Sequence, residues 1–435
     1  MLLKTFKPCH LFLSLLSTAC PHFVTIGRLT LSNLLTHLHH LIDYLTSEGN
    51  MTQVIDQRRY DIDWLRTLAF IVLILYHVGM YYVADWGWHI KSTEQSVWLQ
   101  NVMLLTNPWR MSLLFFISAM AMSLVMSRDK FSAFSLVKIR SKRLLVPLVF
   151  AMIVVVPPQL FYELKQFYGF TDGYVVFMQQ YLDINTQLAP QKQSPIGLLT
   201  WNHLWFLPYL WCYSILLLLI YPLFARVCKY KITSKTPAWL ALVILLLGTA
   251  VIRLLLSKDF PVTHALVDDW FNHAHYFWVF VAGFMLPRVP HLWQRLVDCR
   301  RVLLILALIG YVWLLMDRQG WLNVGQELDE LWLIQFTHNI LISINHWAWI
   351  LAVIGYAGRY LQFSNGFIRY ANQAILPWYI LHQTLIVIFA VYLSRWHLPI
   401  GIEALLLVFG TFLGCWLGYE IVCKSRLLKP FFGVK

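Results

Sequence analysis

Apolar residues run along this chain in blocks of about twenty, separated by short polar connections, which is the length at which an α-helix crosses a bilayer. Ten such segments are predicted, centred on 64–83, 107–127, 144–161, 204–225, 238–257, 269–287, 302–316, 335–357, 371–393 and 401–422. The seventh is short, the eighth is polar for a span, and Pro147, Pro208 and Pro377 are expected to kink the helices that hold them. The predicted fold is therefore all-α: a polytopic membrane protein of about ten transmembrane helices.

Lys and Arg give the orientation, because cytoplasmic connections of membrane proteins are enriched in both. One alternating set of connections (51–66, 127–143, 225–237, 287–301, 358–370 and 423–435) holds 23 of them, and the other set (84–110, 162–202, 257–270, 317–334 and 394–400) holds 7. This asymmetry puts the N- and C-termini in the cytoplasm and requires an even number of spans.

Composition agrees. With 59% hydrophobic and 13% charged residues, the chain has more apolar surface than a soluble domain can bury, and its 20 Trp and 21 Tyr suit the headgroup region. The net charge of +13 is scattered between apolar segments rather than gathered in one patch, so it carries no indication of nucleic-acid binding. The seven Cys show neither a CxxC pair nor metal-ligand spacing, and free thiols are expected.

Residues 1–50 stand apart from the pattern, with a weak apolar run from Leu11 to Ala19 and a cluster of His37, His39 and His40. A cleaved leader is one reading, since Lys4 and Lys7 precede the run, but cleavage would put the following segment outside, against the charge bias. The alternatives are a dispensable extension, or an upstream start in place of Met51, and the membrane domain is taken as 51–435.

The most informative stretch is Arg59-Tyr60-Asp61-Ile62-Asp63-Trp64-Leu65-Arg66, followed by an apolar helix containing His77. Eleven residues place Arg66 and His77 on one stripe about 16 Å apart, with Arg66 at the cytoplasmic surface and His77 near mid-membrane. Asp63, one turn before Arg66, can pair with it. An ionisable side chain at such depth either faces the bundle for packing or serves function. Arg140 and Arg143, one turn apart at the cytoplasmic mouth of the third helix, make a fork for an anionic nucleotide or phosphate, although positive-inside anchoring also puts arginines there.

On the opposite side, Trp86-Gly87-Trp88-His89, His203-Leu204-Trp205-Phe206, and Asp268, Asp269, His273 and His275 offer the aromatic and polar surfaces that sugar rings bind, and are also ordinary interface residues. His382 falls near His77 in depth, so the two histidines together indicate a polar cavity. No Walker loop, GxGxxG, HExxH or GxSxG occurs in a suitable context.

In this order the landmarks resemble the acyltransferase-3 family of integral membrane O-acyltransferases. The resemblance runs from Arg59 to the C-terminus and is carried by Asp63-x-Leu65-Arg66, His77, Phe116-Ile117-Ser118, Arg140-x-x-Arg143 and Tyr379-x-x-His382. Trp88-His89-x-x-Ser92, Trp98, His203-Leu204-Trp205-Phe206-Leu207 and Tyr419-Glu420 resemble a branch implicated in succinylating periplasmic glucans. Two positions depart from the pattern: Ala119 stands where many members have Gly, and Leu376-Pro377 interrupts the approach to the late His.

The resemblance implies transfer of an acyl group such as succinyl or acetyl, from acyl-CoA as a cytoplasmic co-substrate with no bound cofactor, to a hydroxyl of a periplasmic or cell-envelope glycan. It implies a bacterial inner-membrane location and catalytic roles for His77, Arg66 and Asp63. Arg140 and Arg143 would bind the CoA, and Trp88, His89, His203, Trp205 and His382 the acceptor. No hydrolase-like domain follows the tenth helix, so any second transfer step would need a partner, such as other envelope-glycan synthesis proteins. Two other functions fit the same residues: a proton-coupled transporter of an anion, and a non-catalytic glucan-assembly scaffold.

Overall fold

The structure, a computed structural model, describes residues 59–127, 131–229, 237–321 and 332–434, with side chains omitted for 223–229. The extension 1–50 lies outside these residues. Fourteen α-helices are seen among them, with no strand beyond isolated bridges at Val83–Ser96 and Ser194–Gly197. In chain order they are α1 Tyr60–Tyr82, α2 Val97–Leu104, α3 Arg110–Met126, α4 Ala133–Val154, α5 Pro157–Phe167, α6 Tyr174–Leu182 and α7 Phe206–Lys229, then α8 Ala238–Leu256, α9 Trp270–Met285, α10 Pro290–Asp298, α11 Arg300–Arg318, α12 Trp332–Tyr360, α13 Gly366–Leu393 and α14 Ile400–Lys424.

Each of the ten expected segments is helical. Among the described residues, seven stretches are long and apolar enough to cross a membrane, α4 and α5 counting as one of them, and the bent pair α10–α11, which turns by 67° between its halves, makes eight. Of the remaining two, α3 has 17 residues and α9 has 16. The arginines expected at the mouth of the third helix lie inside α4, which begins about two turns before Arg140 because Ser132 caps it by accepting from Ser135 N. Pro147 and Pro377 sit within α4 and α13, but Pro208 lies in the first turn of α7, where a missing N–H breaks no helical bond, so the expected kink there does not arise.

Burial separates the inner helices from the outer ones. The apolar window of α12 is 67% buried and that of α8 only 11%, although α8 is the more apolar, with a mean hydropathy of 2.5 against 1.6. In water the most apolar helix would be the most hidden; the inversion is what a lipid solvent allows. α12 packs against α8, α10, α11 and α1, while α13 packs between α1 and α14. α3 and α9 approach closely because Gly283 presents no side chain: a Cβ there would stand 2.3 Å from the Phe116 carbonyl oxygen.

Candidate active site

The position of His77 is set by both ends of α1. Asp61 and Asp63 occupy its first turn, where carboxylates complement the helix dipole, and Arg59 pairs with Asp61 at 2.6 Å while its guanidinium lies 3.7 Å from the Trp293 ring. At the other end Lys91 Nζ donates to the carbonyls of Met80 and Val83 at 2.8 and 2.5 Å, and the amides of Ser92 and Ser96 donate to Tyr81 and Tyr82. Burial pulls the Lys91 ammonium down to about 8. His77 therefore sits five residues from a tied-down helix end, in the second half of α1 rather than at its middle.

Three histidines converge here from three elements. His77 Nδ1 lies 2.9 Å from the Leu73 carbonyl one turn back and 3.2 Å from His382 Nε2 of α13. His382 is fully buried, and its Nδ1 faces the Tyr379 carbonyl at 2.8 Å. The His203 ring, from the short 3₁₀ turn Asn202–Trp205, stands 5.0 Å from that of His382, with Nε2 facing the carbonyls of Tyr379 and Ile380 at 3.1 and 3.3 Å.

A ring nitrogen that faces a carbonyl oxygen must carry the proton. His382 is thus an Nδ1–H tautomer whose Nε2 accepts, and His77 donates from Nδ1 to Leu73 and His382. The lone pair of neutral His77 is then on Nε2, the one ring nitrogen without a hydrogen-bond partner, and the side chain is only partly buried.

The same logic runs through Gln159, which is fully buried at the head of α5. Its Nε2 donates to His203 Nδ1 at 3.3 Å and to Thr384 Oγ1 at 2.7 Å; its Oε1 accepts from Asn202 and Gln383 at 3.1 and 3.0 Å. The network is satisfied throughout, which rigidifies a buried polar core. Gln159, Thr384 and Gln383 escaped the sequence reading, as isolated amides and hydroxyls in apolar helices carry no signal of their own.

Arg66 is one face of a second cluster. It feels the attraction of Asp63 and the repulsion of Arg143, and Arg140 feels both Arg66 and Arg143. Helices α1 and α4 thus bring together the three arginines, separated by over seventy residues, with Asp63 as the opposing charge acting on Arg66. Arg140 Nη1 also donates to Ser214 Oγ of α7 at 2.5 Å.

The remaining expected residues divide. His89 stays close, acting electrostatically on His203, and its Nδ1 meets Glu163 of α5 at 2.5 Å; Lys192 Nζ takes the other Glu163 oxygen at 2.5 Å. Glu163 lies two residues beyond the third predicted segment, in a connection that carries two further acids, so nothing in the sequence singled it out. Trp88 packs with its neighbour His89, at 5.8 Å between rings, and against the apolar cluster of Tyr81, Tyr82 and Ile90.

Trp205 turns away from the histidines to lie 4.1 Å from the His264 ring. That loop is organised by buried Asp269, which accepts from Tyr209 OH, Asn272 Nδ2 and the amides of Thr263 and His264, and holds His264, Leu266 and Asp268 at positive φ. Burial alone would raise its carboxyl, but the hydrogen bonds from Tyr209, Asn272 and Thr263 outweigh it and keep it below the usual carboxylate range. Asp269 is thus occupied in holding the loop. His275 lies between α9 and α3, its Nε2 3.4 Å from Ser112 Oγ.

Comparison with known proteins supplies the remaining finding. The profile of a family described as an acyltransferase domain matches residues 59–420. Proteins named glucans biosynthesis protein C from Shigella dysenteriae serotype 1 and Escherichia coli K12 are each 25% identical over 403 residues, covering 88% of this chain and 97% of their own length. One of the same name from Salmonella heidelberg is 25% identical over 410 residues. No solved structure matches.

Proposed function

Since the chain belongs to the acyltransferase-3 family and is a membrane-embedded acyltransferase, we propose that it moves an acyl group from cytoplasmic acyl-CoA to a hydroxyl of a cell-envelope glycan in the bacterial inner membrane. The observation that carries the reading is the hydrogen-bonded pair of His77 and His382 at 3.2 Å, which leaves His77 Nε2 as the free base of the site. The acceptor hydroxyl gives its proton to Nε2 as its oxygen attacks the acyl carbonyl, and the His382 lone pair stabilises the imidazolium that results. The departing thiolate then takes the proton from His77. His382 accordingly orients the base, while His203 and Gln159 hold the backbone carbonyls and helix ends that orient His382.

The donor end is the arginine cluster. Three guanidiniums with one opposing carboxylate among the charges that act on Arg66 suit the phosphates of CoA. Arg66 and His77 lie eleven residues apart on α1, about 16 Å along the axis, so the donor would span the site with its anionic end at Arg66 and its thioester at His77. His89, Glu163 and Lys192, beyond the histidines on the other side, lie where an acceptor glycan would arrive, and the relatives' printed name, glucans biosynthesis, favours a glucan as that acceptor. This order of groups along the bundle favours group transfer over transport of an intact anion.

The test is incubation of the purified protein with acyl-labelled acyl-CoA and a glucan acceptor. Label on the acceptor with wild type, and none with a well-folded His77→Ala variant, is the expected result. Undiminished transfer by that variant would overturn the base assignment, and uptake of labelled donor or acceptor into liposomes without transfer would restore the transporter.

A further inference from the structure

Arg110, at the head of α3, is an ionised side chain that the roles above do not use. It is 6% exposed, and its Nε and Nη1 have no hydrogen-bond partner. A guanidinium stripped of water without a counter-charge is unfavourable by several kcal/mol as a rough estimate, so a bundle that keeps one buried points to an anion arriving from elsewhere. The groups acting on it are Tyr76 and Tyr276, neither a carboxylate.

What holds Arg110 is an aromatic face: its Cζ lies 3.4 Å from the centroid of the Tyr76 ring, whose hydroxyl is fixed by Asn107 Oδ1 at 2.9 Å. A carboxylate anchor would cancel the charge, whereas a ring face positions the guanidinium and leaves its field available. Tyr76 adjoins His77, the two rings standing edge to face at 6.0 Å. The ionisable side chains within electrostatic reach of His77 are His382, Arg110 and His203; the two histidines are neutral in this network, and Arg110 is permanently ionised.

We propose that Arg110 is a further catalytic residue, which stabilises the oxyanion formed on the acyl carbonyl beside His77. The inference rests on the acyl-transfer reading above. As the acceptor oxygen bonds to the carbonyl carbon and its proton passes to His77 Nε2, the carbonyl π electrons move onto oxygen, and Arg110 stabilises that charge. Collapse re-forms the C=O bond and breaks the C–S bond; the pair leaves on sulfur, and His77 returns the proton to the thiolate. A donor fixed in place before charge develops needs no reorganisation when it does, which is why such groups contribute strongly in water-poor sites.

The test is acyl transfer to a glucan acceptor by the full-length protein in liposomes, comparing wild type, Arg110→Gln and Arg110→Lys with acetyl-CoA and succinyl-CoA as donors. Arg110→Gln is expected to lower kcat roughly 10²- to 10³-fold with both donors, with little change in KM, and Arg110→Lys to recover part of the loss. A loss confined to succinyl-CoA and expressed in KM would place a substrate carboxylate at Arg110 and overturn the oxyanion role. Unchanged kcat in Arg110→Gln would overturn it too, as would equal losses in both variants accompanied by a lower unfolding temperature. Wild type inactive with either donor would instead overturn the acyl-CoA reading, and this inference with it.

Discussion

Replacing His382 with Leu isolates the one contact that makes His77 a directed base. Leu is close to His in volume, so the fully buried site stays filled. The backbone loses little: Tyr379 O keeps the His203 Nε2–H at 3.1 Å, and His77 Nδ1–H keeps the Leu73 carbonyl at 2.9 Å. What disappears is the 3.2 Å acceptor for His77 in its protonated form, which exists only as the reaction proceeds. A hydrogen bond to a charged group contributes about 1.5–3 kcal/mol, and 1.36 kcal/mol is tenfold in rate, so kcat should fall roughly ten- to a hundredfold with KM nearly constant.

His382→Gln is the companion, because its Oε1 can reach the position of Nε2 and accept in its place; it should retain most of the activity. The assay is initial-rate transfer of labelled acyl groups to a glucan, with unfolding temperature in detergent as the control. If His382→Leu turns over like wild type, or if Gln and Leu are equally impaired, the orienting role is wrong and His382 is a packing residue.

Three further outcomes are expected at the arginine pair, the α3–α9 contact and Lys91. Arg140→Lys with Arg143→Lys keeps the charge and loses the planar fork, so acyl-CoA affinity should weaken by about 1–3 kcal/mol per lost charge-assisted contact; unchanged binding, measured calorimetrically with loop protease accessibility intact, would reduce the pair to membrane anchors. Gly283→Ala drives a Cβ to 2.3 Å from Phe116 O and 2.8 Å from its Cα, both backbone atoms that cannot swing aside; α3 and α9 must part, and stability should fall by about 1–3 kcal/mol, read as a lower melting temperature in detergent. The depressed Lys91 disfavours the fold while the side chain is protonated, so stability should rise as pH climbs through about 8 towards the ordinary lysine value of 10.5; Lys91→Gln should remove that dependence from thermal melts taken between pH 7 and 10, and an identical pH slope in the variant would show that another group is responsible.

The polytopic class and the helix positions were legible in the sequence because both follow from local rules. A run of apolar residues of a given length must become a helix in lipid, where nothing else satisfies its backbone. The pairing of His77 with His382 was half legible: counting residues gave the two similar depths, but depth does not give azimuth. Trp205 shows the limit of such reasoning. It lies two residues from His203, yet the 3₁₀ turn sends one side chain to His382 and the other to His264.

Sequence by itself determined which residues are ionisable in an apolar setting, and hence that His77, Arg66, Arg140 and His382 needed explaining, since the bilayer makes such residues unfavourable wherever they fall. Only the tertiary structure decided what each is for. It placed α13 against α1, so that one histidine fixes the proton of the other, and brought Arg66 of α1 within electrostatic reach of Arg140 and Arg143 of α4. It also seated Arg110 on a tyrosine face, its Nε and Nη1 without a hydrogen-bond partner among the described residues. Hydrogen bonds and charge pairs act over a few ångströms between helices far apart in sequence, and the packing that brings those helices together depends on side-chain shape at many positions at once, which no local pattern encodes.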